Sequence, residues 1–387
     1  MAASTSLISR RQLLLGLLAS GVLLAAPGLE RPKTAERTVV DIAGRTVSLT
    51  RPIKRILLGD GTLAYAMALL CPEDPFGAVV GWGSNFRAAD YDGYEAYRRR
   101  FPQLADIVRF PSTSRDAIGN ELALSLEPDV VVMNLSSRGA VEASGLMALL
   151  AKLGVALVFV DFSTQIFHHS ARSIEILGTL FGRSEQAKAF LRFRAEQLAR
   201  VFQPLKGIQH RPTVMLERAA GLYEDCCLSY GEGNFGALVT AAGGDHLGSR
   251  FIQGTFGTLH PEQVIASEPD VVLVTGANWS LYAPTGDWVN LGPGADPIEG
   301  QARLQRLMQR PAYRTLQAVQ NGRVHAIWHP FYDNPYHFVA LQQLAKWLHP
   351  ERFQDLDPEA TFIELHQRFL PIPYQPGYWL SLNGASV

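Results

Sequence analysis

Glu127-Pro128-Asp129-Val130-Val131 recurs without change as Glu268-Pro269-Asp270-Val271-Val272. In both copies the valines run on into a short apolar stretch, Val130 to Met133 and Val271 to Val274, that reads as a buried strand. A further glutamate stands seven residues before each proline, at Glu121 and Glu262, and the apolar residues between suit a short helix. Each copy therefore reads as helix, Pro-Asp turn, buried strand and loop. A match in both the five residues and their flanks makes the chain two similar α/β halves.

Working outward, Val39-Val40-Asp41 and Arg45-Thr46-Val47 flank Ala43-Gly44 as a hairpin, and Arg55 to Leu58 is a strand entering Gly59-Asp60-Gly61. Thr62 to Leu70 reads as a helix, Ala78 to Gly81 as a strand, Leu146 to Leu153 as a helix and Ala156 to Val160 as a strand. Strands alternating with helices predict a mostly parallel sheet with helices on both faces. Apolar residues from Ile174 to Val201 recur at helical spacing, as one long helix or as two interrupted near Gly182 and Ser184. The second half opens with a strand at Thr213 to Leu216. After its copy of the repeat come a strand at Val324 to Trp328 and helices at Ala340 to Trp347 and Thr361 to Phe369. The expected division is 37–165 for the first lobe, 166–203 for a connecting helix and 204–387 for the second lobe.

A chain of 387 residues exceeds what one core usually serves, which agrees with two lobes. Its formal charge of -1 argues against nucleic acid as a partner. The one basic triplet, Arg98-Arg99-Arg100, is either a solvated helix face or an anion-attracting rim. At the N-terminus Arg10-Arg11 precedes an apolar run from Leu13 to Ala26, which is short for a membrane span. Residues 1–30 thus read as an export signal resembling the twin-arginine type. Its removal would leave a soluble protein in a bacterial periplasm. Of the three cysteines, Cys226 and Cys227 are adjacent, so they pair only through a tight ring or stay as free thiols beside Cys71.

The order of elements, with Asp41-Ile-Ala-Gly-Arg-Thr-Val, the paired repeats, Ala241-Ala-Gly-Gly-Asp-His and Asn321-Gly-Arg-Val, resembles one family over about 37–369. It is that of the periplasmic substrate-binding proteins serving ABC importers of iron-siderophore, haem and cobalamin. The resemblance implies two α/β lobes joined by a long helix, a monomer, and a small-molecule metal chelate as ligand. It further implies an inner-membrane ABC permease as partner, with no resident cofactor and no catalysis. A ferric siderophore ranks first on this reading, haem or cobalamin next, and a metal oxyanion behind them. The family's practice of docking one exposed glutamate per lobe on the permease points to Glu121 and Glu262.

In an open α/β sheet ligands bind outside the carboxyl ends of the strands. That rule selects loops rich in arginine and aromatic residues: Trp82, Arg87 and Arg138 in the first lobe, and Arg218, Tyr230, Trp279, Tyr282 and Tyr332 in the second. Arginine offers a planar fork of donors to carboxylate or catecholate oxygen, and rings cover apolar ligand surface. His168, His169, His325 and His329 lack the spacing of a bare-metal site, although one His or Tyr suffices as an axial haem ligand. The rival class is a periplasmic redox or cofactor enzyme. Gly231-Glu-Gly-Asn-Phe-Gly236 fits GxGxxG but lacks a firm preceding strand, and Asp245 comes too early for a ribose contact.

Overall fold

The computed structural model describes residues 37–49, 51–111 and 118–384, which belong to one compact unit, Glu36–Val387. The export-signal reading of residues 1–30 lies outside the described residues.

The chain opens with an antiparallel hairpin, β1 (Arg37–Val40) and β2 (Thr46–Leu49). Asp41 at its turn is buried. It accepts from the Arg45 side chain and backbone and from Phe159 N, tying the hairpin to the sheet behind it. That sheet is wholly parallel. It contains β3 (Ile56–Leu58), β4 (Val79–Gly83), β5 (Val108–Phe110), β6 (Val130–Asn134) and β7 (Ala156–Val160), in the order β5-β4-β3-β6-β7. Alternation along the strands fills two cores. Ile56, Leu58, Val130, Val132 and Val158 face one way, while Leu57, Val131, Met133 and Phe159 face the other.

The second lobe repeats the plan. β8 (Thr213–Glu217), β10 (Asp245–His246), β12 (Val271–Gly276) and β13 (Val324–Trp328) form a parallel set, with β14 (Trp379–Ser381) antiparallel at one edge. A separate antiparallel pair joins β9 (Leu228–Tyr230) to β11 (Phe256–Thr258).

The sequence repeat has one physical job in both lobes. Glu127 and Glu268 adopt φ of 42° and 40°, which ends the preceding helix before the proline. The following aspartate then anchors the start of the neighbouring central strand. Asp129 accepts from Lys54 N and Arg55 N at 2.8 and 3.0 Å, and Asp270 from Thr213 N at 2.7 Å. Each repeat thus sets the register of the strand pair beside the lobe's crevice, β3 with β6 and β8 with β12.

The expected connecting helix 166–203 is two helices, His169–Leu180 and Ser184–Phe202. Gly182 takes φ of 69° and Arg183 N returns to Gly178 O, a glycine stop that the helix cannot pass. Near the same break, a Cβ on Gly178 would stand 2.6 Å from Ala187 Cβ, so the two helices pack too closely there for a larger residue.

Candidate functional site

The carboxyl ends of both parallel sheets face one crevice, where a cavity of 360 Å³ opens. Strand order reverses between β3 and β6 in one lobe and between β8 and β12 in the other, and lobe two supplies most of the described wall. Arg218 and Ala219 follow β8, Trp279 and Tyr282 follow β12, and His329 and Tyr332 follow β13. Among the described residues lobe one adds Asn85, Ala88 and Ala89, from the short helix after β4.

Among the described residues of this wall Arg218 is the one ionised side chain, and none of them is a carboxylate. Its guanidinium lies over the rings of Phe256 at 4.8 Å and Tyr230 at 5.8 Å, and among the described residues no salt-bridge partner reaches it. A cation seated on two rings, with no counter-ion among the described residues, has donors free to meet an anion. Trp279 is buried, edge-on to Trp288 at 6.3 Å and His329 at 5.4 Å. Tyr282 is 65% exposed at the mouth and Tyr223 is 50% exposed beside it, so a ligand meets aromatic surface before it reaches Arg218. Burial, then the charge on Arg218, pushes His329 well below its usual range and keeps the ring neutral.

Beside the cavity the lobes meet through polar side chains. Asp60 accepts from Thr62 N, Thr62 Oγ1 and Asn85 Nδ2 on one oxygen and from Asn134 Nδ2 on the other. Across the crevice Asp333 Oδ2 stands 3.1 Å from Thr62 Oγ1. Burial first, and Asp60 second, raise Asp333 well above the usual carboxylate range, which the Thr62 hydroxyl opposes. Asn278 Nδ2 to Asp92 at 2.9 Å and Tyr336 OH to the Tyr65 carbonyl at 3.1 Å are further bonds between the lobes.

Of the eight expected ligand contacts, Arg218, Trp279, Tyr282 and Tyr332 share the cavity. Tyr230 lies beneath Arg218, buried, and burial pushes its hydroxyl up to about 12 against the opposing charge of Arg218. The three first-lobe candidates lie outside the described cavity wall. Trp82 is 1% exposed and packs edge-on to Phe76 and Phe86 inside the core, because β4 runs on to Gly83 and leaves Trp82 within the strand. Arg87 turns from the cavity to stack on Tyr91 and Tyr94. Arg138 begins a surface helix and pairs with Glu142 at 2.7 Å, because Asn134 bonds inward to Asp60 and the chain turns away after β6. Phe256 and Leu222 line the wall without having been anticipated. Phe256 arrives through the β9–β11 pairing, and its segment has too little alternation to mark a strand.

The remaining motifs resolve as structure. His325 bonds Ser381 and stacks on Trp347, at the opposite end of β13 from His329, and no metal-holding group of three ligands occurs among the described residues. Gly231 to Gly236 leads into the helix Phe235–Ala241, capped by Asn234 at φ of 59°. Cys226 and Cys227 are joined as a disulfide, and Cys71 is free.

Comparison with known proteins agrees with this architecture. No protein of curated function matches the sequence. The Veillonella parvula TroA-like periplasmic binding protein FepB superposes with a TM-score of 0.81 at 26% identity, covering 90% of this chain and all of that one. The molybdate-bound MolA of Haemophilus influenzae gives 0.64 at 19% identity, over 88% of this chain and 99% of its own. The haem-binding RhuT of Roseiflexus sp. RS-1 gives 0.54 at 18%, over 78% of this chain and all of its own. The sequence model of the family described as periplasmic binding protein matches residues 94–328, more than half of the chain. The chain therefore belongs to the periplasmic binding protein family.

Proposed function

We propose that the protein captures a ferric siderophore in the periplasm as a monomer, after export by its N-terminal signal, and hands it to an inner-membrane ABC permease. The observation that carries this reading is a cavity whose described wall presents an arginine among aromatic rings, with no carboxylate among the described lining residues. Such a wall repels a bare cation and suits a bulky anionic chelate. Haem is the second reading, favoured by the exposed rings of Tyr223 and Tyr282 at the mouth, which match its flat faces.

Glu121 and Glu262 are exposed in the first turns of the helices Asn120–Ser125 and Pro261–Ser267, at equivalent places in the two repeats. We assign them to permease docking, where separated charges give orientation more than affinity. Reversing both, Glu121→Lys with Glu262→Lys, is expected to abolish uptake of iron supplied as a ferric tris-catecholate. The purified variant should still bind that chelate as tightly as the unaltered protein. Unchanged uptake would refute the docking role, and failure of the unaltered protein to bind would refute capture. A Soret band on protein recovered from cells would move the ligand to haem.

A further inference from the structure

Thr275 and His329 meet at the back of the cavity, where β12 and β13 run side by side. Thr275 Oγ1 accepts the backbone N–H of Ala219 at 2.8 Å and lies 2.8 Å from His329 Nδ1. Thr275 is fully buried, so its one hydroxyl proton needs a protein acceptor, and Nδ1 is the acceptor within reach. If Nδ1 carried the proton, Oγ1 would accept twice and its own proton would be stranded. The chain of donors therefore runs from Ala219 N–H to Thr275 O–H to His329 Nδ1. The ring is neutral, so its single proton sits on Nε2. No described residue bonds Nε2, and His329 forms part of the cavity wall beside Trp279.

We infer that Thr275 fixes His329 as the Nε2–H tautomer, giving the site a second donor beside Arg218 and withholding an imidazole lone pair from any metal. The geometry deepens the function proposed above, on which the choice of ligand rests. It selects a ligand that presents oxygen acceptors and whose metal is already fully coordinated by its chelator. Haem, which needs an axial ligand from the protein, gains no nitrogen from this histidine. Thr275 acts here as a positioning residue.

The test is ring-nitrogen NMR on the full mature protein labelled in histidine, with the His329 signals assigned by their loss in His329→Gln. The unliganded protein should show a protonated Nε2 and a bare Nδ1. A protonated Nδ1, or an averaged mixture, would overturn the inference. Thr275→Val should lose this fixed tautomer and bind a ferric tris-catecholate about tenfold more weakly, while Thr275→Ser restores both. Equal affinity in Thr275→Val would overturn the recognition role. Haem titrated into the protein should give no nitrogen-ligated low-spin spectrum that disappears in His329→Gln; its appearance would also overturn the inference. Should the chelate not bind the unaltered protein at all, the function proposed above fails, and the tautomer measurement still decides this inference.

Discussion

Arg218→Ala is expected to weaken binding of a ferric tris-catecholate by about a hundredfold, ~2–3 kcal/mol. The guanidinium is held over Phe256 and Tyr230, and among the described residues it is the cavity's one ionised group and has no carboxylate partner. Removing it leaves the ligand's anionic oxygens facing rings and a partly desolvated wall. Arg218→Lys keeps the charge but loses the planar fork, and should fall between the two. Trp279 is buried in the same wall, so quenching of tryptophan fluorescence follows the titration. An alanine variant that binds within about threefold of the unaltered protein would remove Arg218 from recognition.

Glu217→Ala is expected to cost about 3–5 kcal/mol of stability, lowering the thermal midpoint by roughly 5–10 °C. The carboxylate ends β8 immediately before Arg218 and is buried. It accepts from Arg310 Nη1 and Tyr313 OH, both at 2.7 Å, and from the backbone N–H of Cys227. Burial raises its carboxyl above the usual range, and Arg310 followed by Tyr313 opposes that rise. Without Glu217 a largely buried guanidinium and a buried phenol lose their acceptor, and the loop carrying the Cys226–Cys227 disulfide loses its tie to the sheet. The double variant Glu217→Leu with Arg310→Leu should regain much of the loss, because no charge is left buried alone. A single variant that melts within about 2 °C of the unaltered protein would contradict this.

Much of the frame was legible because the same five residues solve one backbone problem twice. Glutamate ends a helix, proline prevents its continuation, and aspartate holds the next strand's neighbour, so the pattern marks both crevice-forming strand pairs. Cavity-lining residues directly after β8, β12 and β13 were legible for the same reason: strand ends fix where loops begin. The first lobe misled because the strand runs two residues past Gly81, to Gly83, which moves Trp82 from loop to core. Arg138 misled because the Asn134–Asp60 bond, which bends the chain away, pairs residues far apart in sequence. β9, β11 and β14 have three residues each, too few for a periodic signal, and Phe256 entered the wall with them. Tautomer control by Thr275 lies wholly in tertiary geometry, since a threonine in a valine-rich strand reads as packing.

The most direct measurement is an anomalous difference map at the iron edge from crystals grown with a ferric tris-catecholate. A single strong peak is expected in the crevice, flanked by Arg218 and Trp279, with chelate oxygens within hydrogen-bonding distance of Arg218 and of His329 Nε2. An iron peak elsewhere on the surface, or iron bonded directly to His329 Nε2, would contradict the site and its chemistry.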